Sequence, residues 1–144
     1  MHLSMKYSTK VASNFAKRIA FTNMDSDMTY SQLKSKVEAF AAYLQNDLKI
    51  QKGDRVGIML PNSLQYPVAM YGVLKAGGVV VNFNPLYTVD EVEHQVNDAD
   101  IKVIVVMANF ASVLQEALPK TQIKHVIVTQ LGDLLPWWRG ALVN

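Results

Sequence analysis

The fold is decided by a stretch that begins with the apolar run VGIML at residues 56–60, which the polar turn PNS closes at residues 61–63. A segment of helix length follows at residues 64–76 and ends at Gly77-Gly78, a pair typical of helix termination. The same order of a short apolar run and a helix-length segment recurs twice further along the chain. This repeat predicts alternating strands and helices.

The other apolar runs are VVVNF at residues 79–83, VIVVM at 103–107 and VIVT at 126–129. Short continuous β-branched runs are typical of strands that are buried on both faces of a parallel sheet. The order β-α-β-α-β-α-β therefore predicts an α/β fold, with a mostly parallel sheet, right-handed crossovers and helices on both faces.

Two of the predicted helices begin with a capping box, in which a hydroxyl and a side-chain oxygen accept from backbone N–H groups at the helix start. Thr29 and Gln32 have this spacing, and so do Thr88 and Glu91. Each helix also carries an apolar stripe at helical spacing, which predicts one buried face. The stripes consist of Tyr30, Leu33, Val37, Phe40, Ala41 and Leu44 in the first helix, and of Val89, Val92, Val96 and Ala99 in the second.

Two weaker local signals complete the secondary structure. The apolar residues 19–22 and 28–30 flank the polar stretch 23–27, which predicts a small N-terminal hairpin. After the run at 103–107, Asn109 is a candidate N-cap for a fourth helix, which Pro119 should stop.

The length of 144 residues fits one ordinary domain, which buries roughly 68–70% of the surface that its unfolded chain exposes. We expect a single α/β subdomain over residues 1–144. Residues 1–10 are expected to be poorly ordered, residues 11–133 to form the core, and residues 134–144 to form an interrupted tail.

Composition and charge exclude several classes of protein. The 14 Lys and Arg residues nearly balance 12 Asp and Glu residues, and no run of five like charges occurs, so we expect no nucleic-acid partner. Without cysteine the chain has no disulfides, no thiolate nucleophile and no Cys-based zinc site. The longest apolar run, residues 103–108, is far too short to span a bilayer. We expect a cytoplasmic protein, with peripheral association with the inner membrane left open.

The familiar catalytic and nucleotide-binding motifs are missing from the sequence. Gly77-Gly78 precedes a strand instead of following one, so no G-x-G-x-x-G loop exists, and no G-x-x-x-x-G-K-[ST] or G-x-S-x-G motif occurs. The histidines, including His94 and His125, match no metal-binding spacing. The sequence therefore predicts no catalytic residue and no metal ligand.

Three stretches resemble the N-terminal region of adenylate-forming enzymes, and most of all the bacterial long-chain fatty-acid–CoA ligases. They are KGDRVGIMLPN at residues 52–62, LKAGGVVVN at 74–82 and NPLYT at 84–88. The resemblance extends from about residue 11 to the end of the chain. It implies that the chain is a partial N-terminal subdomain of the adenylate-forming fold.

Members of this family activate a fatty acid with Mg-ATP to an acyl-adenylate and then transfer the acyl group to coenzyme A. Their Ser/Thr- and Gly-rich phosphate loop, their Tyr-Gly-x-Thr-Glu stretch and their C-terminal lysine have no counterpart here. The resemblance thus implies a fragment that is inactive alone and holds no cofactor, whose parent enzyme uses ATP, Mg and CoA. Its implied partners are the remainder of the ligase chain, fatty acid and CoA in the parent enzyme, and a second copy of the chain in a homodimer.

The resemblance places one candidate site in the loop of Asn84, Pro85, Leu86, Tyr87 and Thr88, which it puts on the CoA side of the parent enzyme. A purely structural explanation competes with this one, because Pro85 suits a rigid turn and Thr88 suits a helix cap. Two alternatives to an enzyme fragment also remain, namely a non-catalytic module that binds CoA or an acyl chain and an oligomerisation module.

Overall fold

A computed structural model of the chain describes residues 19–23, 26–129 and 138–142. The strands are β1 Ile19–Asn23, β2 Ser26–Thr29, β3 Arg55–Met59, β4 Val79–Asn82, β5 Val103–Met107, β6 His125–Thr129 and β7 Trp138–Leu142. The α-helices are α1 Tyr30–Asn46, α2 Gln65–Lys75, α3 Val89–Ala99 and α4 Ala111–Ala117. The predictions for residues 1–10 lie outside the described residues.

The chain forms two compact units. The first takes its described residues from Met1–Asp54 and Asn62–Val79, and the second from Arg55–Pro61 and Val80–Asn144.

The first unit opens with the predicted hairpin. Strands β1 and β2 pair antiparallel, with Ile19 opposite Thr29 and Asn23 opposite Ser26. Helix α1 then begins with the predicted capping box, because Gln32 N donates to Thr29 Oγ1 over 3.2 Å and Thr29 N donates to Gln32 Oε1 over 2.9 Å. Both sequence predictions are confirmed.

Helices α1 and α2 pack against each other in the first unit. All the predicted stripe of α1 is buried except Tyr30, which is half-buried. On α2, a Cβ at Gly72 would lie only 2.5 Å from Phe40 Cδ2. The glycine therefore allows α2 to approach the ring of Phe40, which is itself fully buried.

Two of the family-like stretches meet in this unit. Gly53 N donates to Gly77 O over 2.9 Å, and both glycines have positive φ angles, +88° and +92°. L-residues rarely adopt this left-handed backbone, whereas glycine does so readily. The two glycines are thus explained by the backbone of the turn alone.

The second unit contains a sheet in the order β4-β3-β5-β6-β7. Strands β3, β5 and β6 are parallel, with Val56 opposite Val103 and Val103 opposite His125. Strand β4 runs parallel to β3. Asp54 O accepts from Val79 N, and Ile58 O accepts from Phe83 N. Both chains therefore advance by four residues in the same direction between these two bonds, as in a parallel pair. The mostly parallel α/β fold is confirmed.

Strand β7 was not predicted. It pairs antiparallel with β6, with Thr129 opposite Trp138 and His125 opposite Leu142. The sequence alone predicts an interrupted tail for these residues, because their fit to a strand depends on the distant β6 edge instead of on a local pattern.

The prediction of double-sided burial is right for β5 and wrong for β4. Every residue of β5 is buried, whereas β4 is exposed at both ends and only half-buried between them. The physical reason is position, because β5 lies between two strands and β4 lies at the edge of the described sheet.

The core of the second unit joins the sheet to α3 and α4. Its buried residues are Met59, Phe83, Val92, Val96, Ile101, Ile104, Val106, Leu114, Ala117, Ile123 and Val126. Val89 and Ala99 pack against this cluster and are partly buried, which confirms the predicted stripe of α3.

The predicted N-cap of the fourth helix, α4, is wrong. Asn109 lies inside a short 3₁₀ turn, Ala108–Phe110, and the N-cap position of α4 is occupied by Phe110, whose side chain cannot accept a hydrogen bond. The chain tightens directly after β5, so the α-helix begins one residue later than an N-cap at Asn109 would place it. The predicted stop is confirmed, since α4 ends before a second 3₁₀ turn that contains Pro119.

Candidate functional site

The candidate loop, residues 84–88, leaves the sheet from the edge strand β4. Its entrance is fixed by Phe83, which is 3% exposed and whose N–H donates to Ile58 O over 2.9 Å. The loop therefore starts from the carboxyl edge of a parallel sheet, where ligands of such folds commonly bind.

The first part of the loop is a tight turn. Asn84 O accepts from Tyr87 N over 3.0 Å, and Asn84 Oδ1 accepts from Leu86 N over 2.9 Å. Pro85 stands at the second turn position, which its fixed φ suits, and an asparagine at the first position commonly bonds the backbone two residues on. The side-chain oxygen of Asn84 is thus used within the loop.

The last residue of the loop caps helix α3. Glu91 N donates to Thr88 Oγ1 over 3.2 Å, and Thr88 N donates to Glu91 Oε1 over 3.0 Å. These bonds hold the pKa of Glu91 below its ordinary value, chiefly through the backbone N–H of Thr88. The predicted capping box is confirmed, and the turn and the cap account for Pro85 and Thr88 without a ligand.

One side chain of the loop points away from the protein. Tyr87 packs against the core of the second unit, whereas Leu86 is 79% exposed. An isolated exposed leucine is ordinary on a protein surface. Because Pro85 and Tyr87 are half-buried, Leu86 is the apolar side chain of the loop that is most exposed to a ligand or partner.

Sequence reasoning missed one residue that holds this loop. Gln95 on α3 donates through Nε2 to Asn82 O over 2.9 Å, across thirteen positions of sequence. The available signal was weak, because Gln95 merely neighbours the apolar stripe of α3. Arg55, in the family-like stretch, has a similar structural contact, since its Nη1 donates to Ala99 O over 2.8 Å.

The described part of the chain offers little catalytic chemistry. Leu60 and Phe83, which follow β3 and β4, and Met107, which ends β5, are apolar and at most 5% exposed. Within the described ranges no group of three His, Asp or Glu side chains could hold a metal ion. Helix α3 borders a shallow surface depression of about 470 Å³ lined by Asp90, Glu93, His94, Asn97 and Asp98, all on that one helix.

His94 is exposed and His125 opens β6, as the sequence indicated. In the part of the chain that the structure describes, no helix combines the length and apolar character needed to cross a bilayer.

Comparisons with known proteins agree with this fold. The sequence profile of the AMP-binding enzymes matches residues 8–141, and the chain belongs to that family. Within it, the chain is 50% identical over 133 residues to the long-chain-fatty-acid–CoA ligase of Salmonella typhimurium, covering 92% of this chain and 24% of the relative. The ligase of Escherichia coli O157:H7 is 52% identical over 130 residues, covering 90% of this chain and 23% of the relative.

A solved structure, the fatty acyl CoA synthetase of Mycobacterium tuberculosis, superposes with a TM-score of 0.77 at 28% identity, over 87% of this chain and 26% of that one. The chain thus spans about a quarter of the length of the relatives that it matches.

Proposed function

We propose that this chain is the N-terminal part of a long-chain fatty acid–CoA ligase and is not catalytic alone. In the parent reaction, fatty acid and ATP give an acyl-adenylate and pyrophosphate, and CoA then takes the acyl group and releases AMP. The observation that carries this proposal is the identity of about 50% to long-chain ligases over nine-tenths of the chain.

The proposed inactivity follows from the lack of phosphate-binding motifs in this sequence. Adenylate formation depends on loops, lysines and a metal that position the phosphates and stabilise their charge. The chain has no phosphate-loop motif, and Leu60, Phe83 and Met107, at or directly after the ends of β3, β4 and β5, are apolar and buried. A partner segment would supply this chemistry, and that segment is the remainder of the ligase chain.

The loop of residues 84–88 is proposed as a contact for CoA. Its position at the carboxyl edge of the sheet supports this role. Because Asn84 and Thr88 use their side-chain oxygens within the loop, the contact is assigned to the exposed side chain of Leu86. An apolar contact of this kind suits the adenine ring or the hydrocarbon parts of CoA instead of its phosphates.

A graft tests the main proposal. Residues 1–144 replace the matching quarter of the Salmonella typhimurium ligase, and acyl-CoA formation from oleate, ATP and CoA is measured. We expect the graft to form oleoyl-CoA, whereas the same relative without that matching quarter, and the isolated chain, should form none. A folded graft that forms no oleoyl-CoA contradicts the proposed role as part of a ligase, and oleoyl-CoA formation by the isolated chain contradicts the proposed inactivity.

The same graft tests the loop. Leu86→Asp should raise the KM for CoA roughly tenfold or more, since burying a leucine side chain contributes about 1.5–3 kcal/mol. Val79→Asp is the matched control, because Val79 is the other large hydrophobic side chain that is exposed in the described residues, at 36%. Equal KM values for CoA in the two variants would show that the loop does not contact CoA.

A further inference from the structure

Two side-chain amides of helix α3 donate hydrogen bonds to backbone carbonyls elsewhere in the second unit. Gln95 Nε2 donates to Asn82 O over 2.9 Å, next to the candidate loop. Asn97 Nδ2 donates to Lys120 O over 3.0 Å, in the turn that precedes β6. Both bonds join a side-chain amide to a backbone carbonyl, but only the first touches the strand that leads into residues 84–88.

The candidate loop is fixed at three other points. Phe83 N bonds Ile58 O at the entrance, Asn84 closes the turn, and Thr88 caps α3 at the exit. The first of these bonds joins two strands, the second lies within the loop, and the third joins the loop to the first turn of α3. The bond from Gln95 differs, because it ties the end of β4 to the second turn of the helix that begins after the loop.

We propose that Gln95 is a positioning residue, which holds the loop of residues 84–88 in the geometry that contacts CoA. The inference rests on the proposed role of that loop. By joining Asn82 to α3, the Gln95 amide links the strand before the loop to the helix after it, which favours the arrangement in which the two ends of the loop are close together. A loop held in its bound geometry loses less conformational freedom when a ligand binds.

The first test is made on the 144-residue chain. Gln95→Met and Asn97→Leu each replace an amide by an apolar side chain of similar size that cannot donate a hydrogen bond. Amide hydrogen exchange at Leu86 and Tyr87, whose N–H groups are bonded within the turn, should be roughly tenfold faster in Gln95→Met and unchanged in Asn97→Leu. Equal exchange in the two variants overturns the inference.

The second test is made in the graft with the Salmonella typhimurium ligase. Gln95→Met should raise the KM for CoA by roughly three- to tenfold, the range expected for one neutral hydrogen bond. ATP–pyrophosphate exchange with oleate, which needs no CoA, should stay unchanged, and Asn97→Leu should affect neither quantity. A loss of both activities in Gln95→Met would show a merely structural role and overturn the inference.

The two proposals can fail separately. If Leu86→Asp raises the KM for CoA but Gln95→Met behaves as Asn97→Leu does, the positioning role is wrong and the loop remains a CoA contact. If neither Leu86→Asp nor Gln95→Met changes the KM for CoA, the loop is not a CoA contact and both proposals fall.

Discussion

Strand β4 has the sequence VVVN and strand β5 the sequence VIVVM, two runs that are alike in composition but differ in their place in the sheet. β5 lies between β3 and β6 and is buried throughout, whereas β4 lies at the edge of the described sheet and is exposed at both ends. The segments that follow them differ as well, since a capped helix follows the loop after β4 and a 3₁₀ turn follows β5. Burial therefore depends on the neighbours of a strand and not on its own residues alone.

The largest expected effect is the difference between one substitution made in each strand. Val105→Asp places a carboxylate at a fully buried position of β5 and should destabilise the protein by at least about 4 kcal/mol, a large part of a typical total stability. Val79→Asp at the exposed start of β4 should cost about 1 kcal/mol or less. Urea unfolding followed by circular dichroism measures both, and a Val105→Asp variant with an unchanged midpoint would contradict the sheet assignment.

The contrast also shows how far sequence reasoning reaches. Capping boxes at Thr29 and Thr88 were predictable because all their atoms lie within four consecutive residues. The helical stripes and strand runs were predictable for the same reason, as each is a local period. Strand order is not local, so the edge position of β4 and the pairing of β7 with β6 escaped prediction.

The candidate site divides in the same way. The turn at Pro85 and the cap at Thr88 could be anticipated from the loop sequence. The bond from Gln95 to Asn82 could not, because it joins two elements that only the folded chain brings together. The exposure of Leu86 could not be predicted either, because a leucine in a sequence can be buried or exposed.

A second prediction tests the strand that separates β4 from β5. A Cβ at Gly57 of β3 would lie 2.9 Å from Phe83 Cε1 and 3.0 Å from Ile104 Cγ1. Gly57→Ala should therefore cost about 1–3 kcal/mol through overpacking, despite the small size of the added group. Thermal unfolding of Gly57→Ala, Phe83→Leu and the double variant measures the coupling between the two positions. We expect a coupling of at least about 0.5 kcal/mol, and strict additivity would show that the two side chains do not compete for space.

A third prediction compares the segments that follow the two strands. Thr88→Ala removes the hydroxyl that accepts from Glu91 N and should cost about 1 kcal/mol. Asn109→Ala should stay within about 0.5 kcal/mol of the wild type, because Asn109 lies inside a 3₁₀ turn and does not occupy the N-cap of α4. Urea unfolding measures the free energy of unfolding of both variants. Equal decreases in the two would indicate that Asn109 caps α4 after all.

The smallest expected effect is the pH dependence of the same cap. The pKa of Glu91 lies below its ordinary value of 4.5, because its carboxylate accepts from the backbone N–H of Thr88 and interacts with the Thr88 side chain. A group whose pKa falls on folding binds fewer protons in the folded state. Its contribution to the free energy of unfolding is therefore complete above pH 4.5 and is lost as the pH falls through the lowered pKa.

Glu91→Gln keeps an oxygen that can accept from Thr88 N but removes the titration. Melting temperatures from pH 7 to pH 3 should therefore fall more steeply in the wild type than in Glu91→Gln, since the other carboxylates titrate in both. Parallel curves would show that the capping bond does not depend on the charge of Glu91, and would leave the Thr88 hydroxyl as the cap that stabilises the segment after β4.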